Sequence, residues 1–456
     1  MVLPEGFIIE IKPLLHDQWN AFVDALNGEV PTSIRINRKK YKGGETPHAV
    51  PWCEDGFYLS QRPSFTFDPL FHAGAYYVQE ASSMFVEQVF RQYVNNRTVR
   101  VLDLCAAPGG KSTHIASLIS EDSLLVSNEV IRSRANILSE NITKAGYPNV
   151  IVTNNDPSDI GKLQDFFDII LVDAPCSGEG MFRKDPQAVV EWSPANVQLC
   201  EERQRRIVAD VWDALRPGGI LIYSTCTYNT RENEQNIQWI ADCLDAEFLS
   251  LEVCPAWNIH PAFDSEIPAY HFLPHCTKGE GFFLAALQKV GDCDVEEFCP
   301  VKKSKKQSKP KTLSLDVQYR NYLIDNERYM FFEKSGSWFA FPAVLFGYFE
   351  YIVSKLKLVS AGVYLGEVKG KDFIPQHSLA MSLALNVGAF EHVDVDKETA
   401  IAYLRKEALC FPNSAKGYLL LTYQNIPLGF VKNIGNRANN LYPNEWRIRS
   451  GYNPEE

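Results

Sequence analysis

Short apolar runs alternate with helical patterns through residues 99–288, and this alternation constrains the fold more than any other feature of the chain. The runs predict strands at residues 99–103, 124–129, 150–153, 167–173 and 219–224, with a last edge strand at 282–287. Helices are predicted between them, one reaching Ile119 and one from Arg132 to Gly146. Strands that are apolar on both faces need cover on both faces. The pattern therefore predicts a doubly wound, mostly parallel α/β sheet, Rossmann-like in class.

The rest of the chain divides where its composition changes. Six lysines and no acid lie between residues 302 and 311, which indicates a solvated linker or an arm that contacts RNA. We predict an α+β module at 1–98, a core domain at 99–290, a linker at 291–312, a small mixed α/β domain at 313–385 and a β-rich domain at 386–456.

Residues 31–37 alternate like a strand and run into the basic residues Arg38, Lys39 and Lys40. One interpretation is a small module whose cations contact phosphates. The other is a solvated edge strand whose lysines prevent pairing with other chains. The sequence alone leaves both open.

The 456 residues carry a formal net charge of −11, whereas a nucleic-acid binder usually shows a basic footprint. Binding depends on a local basic face, so the acidic total counts only mildly against RNA. There are 11 cysteines and no CxxC pair, which argues against a zinc ribbon and against a full disulfide framework. We expect reduced thiols, no metal and a cytoplasmic location.

The first residues, 1–6, lack the basic start and long apolar run of a signal peptide. No apolar stretch approaches the length of a membrane span. We therefore expect a protein that does not associate with membranes, and we expect it to be a monomer.

A loop of small residues joins the first predicted strand to its helix. The loop consists of Cys105, Ala106, Ala107, Pro108, Gly109, Gly110 and Lys111. Small side chains let the backbone approach a ligand, and the helix N-terminus beyond them offers free N–H groups. The loop is neither a dinucleotide GxGxxG nor a phosphate-binding P-loop.

Three acids follow the predicted strands. Glu129 lies about twenty residues past the glycines, where a ribose-binding acid is expected. Asp156 can accept a hydrogen bond from an adenine amino group, and Asp173 closes the fourth strand. An adenosine-bearing ligand without a pyrophosphate fits this set, which predicts S-adenosylmethionine. The alternative is a tight glycine turn with acids that cap the strand ends.

Two cysteines follow two predicted strands, Cys176 in Asp-Ala-Pro-Cys-Ser-Gly and Cys226 in Tyr-Ser-Thr-Cys-Thr-Tyr. A thiolate that adds to C6 of cytosine turns the ring into an enamine, whose C5 can then attack a methyl donor. Asp173 could hydrogen-bond N3 of the ring, while Lys111 and the helix dipole would favour a thiolate. The target base must leave its stack to enter such a pocket. Chemistry alone does not decide which cysteine attacks.

The strings 105–111, 173–178 and 224–228 together resemble the RNA 5-methylcytosine methyltransferase family of the RsmF/RsmB and NSUN type, as does the segment 69–84. The resemblance covers residues 30–290, and the long C-terminal extension looks most like the bacterial RsmF branch. It implies methylation of cytosine in small-subunit (16S) ribosomal RNA, with ribosomal RNA or the small subunit as partner. It also implies an RNA-binding N-terminal module and a PUA-like domain at 386–456.

The resemblance assigns roles that chemistry left open. It makes Cys226 the nucleophile and Cys176 the residue that assists product release. The loop 105–111, Glu129, Asp156 and Asp173 would hold the cofactor. The alternatives are a transfer-RNA cytosine-C5 methyltransferase, a methyltransferase of this fold with another target atom, and a ribosome-assembly factor without turnover.

Overall fold

A computed structural model describes residues 1–263, 266–291, 315–370 and 372–450. Apart from its first residue, the predicted linker at 291–312 lies outside the described residues. Among the helices of the described part, none has both the length and the apolar character needed to cross a bilayer.

The N-terminal region packs two helices beside a small sheet. Its elements are α1 (Glu5–Leu15), α2 (Trp19–Leu26), β1 (Thr32–Ile36), β2 (Gly56–Leu59), α3 (Pro69–His72), β3 (Tyr76–Val78) and α4 (Val86–Val89). The sheet is antiparallel in the order β2-β1-β3, and every residue of β1 is buried. The edge-strand interpretation of residues 31–37 is therefore wrong, because β1 pairs on both sides.

A ten-stranded sheet forms the centre of the molecule. Its first elements are β4 (Arg100–Asp103), α5 (Gly110–Leu118), β5 (Leu124–Asn128), α6 (Arg132–Ala145), β6 (Val150–Thr153), α7 (Pro157–Ile160) and β7 (Phe167–Asp173). They continue with α8 (Pro186–Glu191), α9 (Pro194–Val211), β8 (Leu215–Thr225), α10 (Glu234–Cys243), β9 (Ala246–Leu249), β10 (His260–Pro261), β11 (Ala269–Phe272) and β12 (Phe282–Lys289). The strands β8-β7-β4-β5-β6 are parallel neighbours.

Two hydrophobic clusters cover the two faces of this sheet because its strands are apolar on both sides. Helix α6 ends where predicted, with Gly146 as a left-handed C-cap at φ 86°. The predicted doubly wound class is confirmed.

Two strand predictions need correction. The run at 282–287 was expected at the edge, but β12 pairs with β8 on one side and with β11 on the other. The strand expected to begin at Gly219 is part of β8, which starts at Leu215 and continues through the Pro217–Gly218 break. Its pairing with β7 shifts register there, and this irregularity accommodates the break.

The C-terminal part contains two four-stranded sheets. Its elements are α11 (Val317–Arg320), β13 (Tyr329–Lys334), β14 (Ser337–Pro342), α12 (Phe346–Lys355), β15 (Leu358–Ala361), β16 (Val363–Lys369) and β17 (Asp372–Pro375). They are followed by α13 (His377–Met381), β18 (Glu391–Asp394), α14 (Lys397–Leu404), β19 (Gly417–Tyr423), β20 (Ile426–Asn433) and β21 (Ala438–Asn440). The sheets have the orders β13-β14-β16-β17 and β18-β19-β20-β21. Strand β15 instead pairs with β6 and extends the central sheet.

Candidate active site

A cavity of 440 Å³ lies at the carboxyl ends of β4, β7 and β8. Those ends supply Asp103, Asp173 and Cys226 to its wall. Further lining residues are Tyr77, Gln79, Glu80, Ser83, Cys105, Ala106, Ala107, Pro108, Gly110, Lys111, Ala174, Gly180, Met181, Lys184, Glu280, Gly281 and Phe282. In a doubly wound sheet this edge is where ligands bind.

The loop between β4 and α5 forms one wall of the cavity through its small residues. Of the loop, only Gly109 is absent from the lining. Its φ is 116°, and a Cβ there would come within 3.2 Å of Leu138. Glycine at this position allows the turn that places the N-terminus of α5 at the cavity.

Asp103 is fully buried at the end of β4. Its Oδ2 accepts a hydrogen bond from Ser112 Oγ at 2.6 Å, while its Oδ1 is buried without a partner among the residues that the structure describes. Burial raises the pKa of Asp103 to about 7, with the hydrogen bond from Ser112 opposing the shift. An unpaired buried acceptor on a cavity wall is costly unless a ligand donates to it.

Lys111 and Asp173 form a partly buried ion pair on the cavity wall, with Lys111 Nζ 2.8 Å from Asp173 Oδ2. Ser224 Oγ donates to the other carboxylate oxygen at 2.7 Å. Burial lowers the pKa of Lys111, but the nearby carboxylates outweigh it and the net pKa is raised. Lys111 therefore stays cationic in the cavity.

The two predicted cysteines meet. The Sγ atoms of Cys176 and Cys226 are 3.0 Å apart, because β7 and β8 are parallel neighbours whose carboxyl ends lie side by side. Cys226 lines the cavity, whereas Cys176 is not among the lining residues. The hydrogen bond with Cys226, together with burial, raises the pKa of Cys176 well above its usual value.

Two fully buried carboxylates hold the two cysteine loops together. Glu179, which follows Cys176 in sequence, accepts the backbone N–H groups of Tyr228 and Asn229 at 2.8 and 3.0 Å. Glu232, which follows Cys226, accepts the backbone N–H of Ser177 at 3.0 Å. Each loop thus supplies the acceptor for the other. We call this pair of contacts the carboxylate clamp.

The two carboxylates of the clamp are also joined to each other. Asn229 Nδ2 donates to Glu179 Oε1 at 2.9 Å and to Glu232 Oε1 at 2.8 Å. Burial, and then the charge of Glu179, raises the pKa of Glu232 to about 7.

Comparison with known families fits this geometry. The model of the family described as 16S rRNA methyltransferase RsmB/F matches residues 92–288. The RsmF N-terminal domain matches residues 3–81, the first RsmF C-terminal domain 348–383, and the RsmF PUA domain 390–448. The chain is 32% identical to ribosomal RNA small subunit methyltransferase F of Escherichia coli O127:H6, over 98% of this chain and 97% of that protein.

The chain belongs to the RsmF family of methyltransferases. The relative from Shigella boydii serotype 18 is also 32% identical over 98% of the chain and 97% of its own length. Among solved structures, a methyltransferase homolog protein from Pyrococcus horikoshii is 30% identical with a TM-score of 0.55. It covers 63% of this chain and 95% of its own. The predicted family and fold class are both confirmed.

In this RsmF chain two predicted cofactor acids lie off the cavity wall. Glu129 is buried, accepts the backbone N–H of Ile131 at 2.9 Å and lies 3.5 Å from Arg134. Asp156 caps α7 by accepting from the backbone and hydroxyl of Ser158, and these hydrogen bonds lower its pKa. The capping alternative therefore describes Asp156 here, and its proposed contact with adenine stays a prediction.

Several residues of the RsmF site were not predicted. The segment around β3 contributes Tyr77, Gln79, Glu80 and Ser83 to the cavity wall. The resemblance of this segment to the family was the one signal in the sequence that pointed to them. Gln79 is held by the buried Arg35, whose Nε donates to Gln79 Oε1 at 2.9 Å. Nothing in the sequence signals Glu179 or Glu232, since their role depends on contacts across the two loops.

A buried group of Cys53, Glu87 and His114 has metal-ligand character. Its ligand atoms lie within 4.8 Å of one another, and His114 Nε2 is 3.0 Å from Glu87 Oε2. Metal-bound histidines donate their other ring N–H to a partner, and His114 Nδ1 is buried without one. We interpret the group as a hydrogen-bonded core cluster.

Proposed function

We propose that this protein transfers a methyl group from S-adenosylmethionine to C5 of a cytosine in small-subunit ribosomal RNA. The observation that carries the proposal is the 3.0 Å approach of Cys176 and Cys226 beside a lysine–aspartate pair. A methyltransferase that modifies an amino group needs neither thiol. The family match and the relatives named for small-subunit ribosomal RNA support the substrate.

The cavity wall suits the adenosyl donor. The loop 105–111 presents backbone and small side chains, and Asp103 Oδ1 offers a buried acceptor that lacks a partner within the described part of the chain. Glu129 follows β5, at the position expected for a ribose-binding acid. When bound, S-adenosylmethionine supplies an electrophilic methyl group.

The chain's own residues activate the base. Cys226 lines the cavity and its thiolate adds to C6 of an extruded cytosine, forming a C–S bond and making C5 nucleophilic. Asp173, oriented by Lys111 and Ser224, faces the cavity where it can hydrogen-bond the N3 edge. C5 takes the methyl group, which leaves S-adenosylhomocysteine with the electron pair of the broken S–C bond, and then loses its proton to a base. The electrons of that C–H bond restore the ring double bond as the thiolate leaves C6.

Electrostatics support Cys226 as the nucleophile. Lys111 and Cys226 line the same cavity, and Lys111 interacts electrostatically with Cys226 as well as with Asp173. Cys176 lies next to Cys226, and its raised pKa keeps it a protonated thiol that can donate to its neighbour. A lone thiolate needs such an electropositive neighbour.

The test combines a chemical readout with a substrate screen. Cys226→Ala should abolish transfer of labelled methyl to RNA while leaving binding of S-adenosylmethionine intact by calorimetry. Bisulfite sequencing of ribosomal and transfer RNA from cells with and without the gene should show the modified cytosine in small-subunit ribosomal RNA. Full methyl transfer by the variant would refute the nucleophile, and a site in transfer RNA would refute the substrate.

A further inference from the structure

A second and larger concavity adjoins the catalytic cavity. This groove of 910 Å³ is lined by residues of three segments, 25–32 from the end of α2 to the start of β1, 59–62 at the end of β2 and 274–279 before β12, together with His48 and Arg183. Its lining residues come from both the N-terminal region and the central domain.

Arg183 connects the lining of the groove with that of the catalytic cavity. Arg183 lines the groove and donates to Gly279 O at 2.6 Å. Its Nε also lies 3.4 Å from Glu280 Oε2, and Glu280 lines the cavity. The groove and the catalytic cavity are therefore lined by consecutive residues, Gly279 in the groove and Glu280 in the cavity.

The groove is cationic although the protein is acidic. Its lining contains Arg62, Arg183 and Lys278 but only one acid, Glu29, in a chain of net charge −11. Arg183 is already paired with Glu280. The remaining two cations, Arg62 and Lys278, are exposed on the groove walls.

Arg62 and Lys278 are held in place without being neutralised. Arg62 Cζ lies 5.5 Å from the centre of the Phe65 ring, and Lys278 Nζ lies 4.6 Å from that of Tyr58. Within the part of the chain that the structure describes, neither side chain is ion-paired with a carboxylate. Ring contacts fix the position of a cation but leave its charge available to a ligand.

We propose that this groove binds the sugar-phosphate backbone of single-stranded RNA next to the target cytosine, with Arg62 and Lys278 contacting phosphates. The inference rests on the proposed function, because a base that enters the catalytic cavity must first leave its stack. Unpaired RNA presents such a base together with a flexible charged backbone. A local cationic groove also explains how an acidic protein attracts RNA.

The test compares two double variants with equal charge change. Arg62→Gln/Lys278→Gln removes the two groove cations that have no carboxylate partner and keeps Arg183, and Lys334→Gln/Lys355→Gln removes two exposed lysines at the ends of β13 and α12. Binding of a short labelled oligocytidine is measured by fluorescence anisotropy across a range of salt. The groove variant should bind about tenfold more weakly, and the slope of log Kd against log salt should fall by about 1.4 for two lost contacts. The control variant should keep the parent slope.

Steady-state kinetics show whether the substitutions affect RNA binding or cofactor binding. The groove variant should raise KM for RNA while affinity for S-adenosylmethionine is unchanged by calorimetry. If the control variant bound RNA as weakly as the groove variant, the effect would come from net charge alone, and the proposal that the groove binds RNA would be refuted. An unchanged salt slope would also refute it, as would a parent protein that binds duplex RNA of equal length as tightly as the oligocytidine.

The two proposals fail separately. The groove variant could lose oligocytidine binding while the parent protein transfers no methyl group to cytosine. That result would support the groove proposal and refute the proposed reaction. Conversely, cytosine methylation could be normal while the groove variant keeps its full affinity for RNA. That result would support the proposed reaction and refute the groove proposal.

Discussion

Cys176 and Cys226 are neighbours with different surroundings. Cys226 faces the cavity and the cation of Lys111, whereas Cys176 is not among the lining residues and has a pKa raised by their mutual hydrogen bond and by burial. This difference in surroundings supports the proposed roles, in which Cys226 is the nucleophile and Cys176 is its proton-bearing partner.

Cys176→Ala should trap the enzyme on RNA through Cys226. Removing the thiol beside the adduct removes the group proposed to assist elimination, so the covalent complex accumulates. A slowly migrating protein–RNA band on a denaturing gel measures it. The band should vanish in the Cys176→Ala/Cys226→Ala double variant, and its absence from the single variant would contradict the release role.

Asp103 should make the free protein less stable as pH rises. Its pKa is about 7 when folded against a usual 3.8, so between these values the folded state binds more protons than the unfolded state. Its contribution is fully present below pH 3.8 and is lost as pH rises through 7.

Asp103→Asn should therefore gain stability relative to the parent between about pH 4 and pH 7, by at most about 4 kcal/mol, since each pKa unit is worth about 1.4 kcal/mol. Urea unfolding without ligand at several pH values measures this difference. A difference between the two proteins that does not change with pH would show that Asp103 does not titrate in this range.

At the scale of elements, the geometry of the site depends on two loops that follow neighbouring parallel strands. The parallel pairing of β7 with β8 brings the loops to one edge, and the carboxylate clamp fixes their separation. Because both carboxylates are fully buried, their N–H partners have no water to replace them.

Glu179→Gln should lower kcat about tenfold or more with little change in KM for RNA. The amide replaces one acceptor oxygen with a donor facing Tyr228 N–H or Asn229, and an unpaired buried donor costs about 1–3 kcal/mol. Steady-state methylation and thermal unfolding are measured together.

Glu234→Gln is the matched control. Glu234 is also buried and accepts the backbone N–H of Phe263 at 2.8 Å, but it lies outside the two cysteine loops. This variant should lose stability without the fall in kcat. Equal losses of kcat in both variants would mean that the clamp acts only through overall stability.

At the scale of the whole molecule, the C-terminal part is built into the central sheet. Residues of β15 pair with β6, and Gly362 N donates to Val150 O at 3.1 Å. Phe341, Phe349 and Ile352 join the hydrophobic cluster on one face of the sheet. The edge strand of the sheet is thereby covered.

A chain ending at residue 291 should consequently melt at least about 5 °C below the full chain, because each kcal/mol lost shifts Tm by about 2–4 °C in a domain of this size. It should also aggregate through the exposed edge of β6. Thermal unfolding and light scattering measure the two effects. A single transition at the parent Tm would show that the central domain is independent of the C-terminal part.

The sequence by itself determined the doubly wound class, the loop 105–111 and the presence of two thiols at strand ends. Apolar runs of strand length and glycine turns are local signals that depend on neighbouring residues alone. The limits of the five predicted domains and the roles of the site residues remain predictions.

Only the tertiary structure decided that β1 is central, that β12 is internal and that the two sulfur atoms meet at 3.0 Å. It also decided which carboxylates form the clamp and which cations line the groove. These features depend on contacts between segments far apart in the chain, and Glu179 carries no local pattern that would reveal its partners beyond β8. Strand order and side-chain burial are set by how all the elements pack together, so a pattern read along one strand cannot determine them.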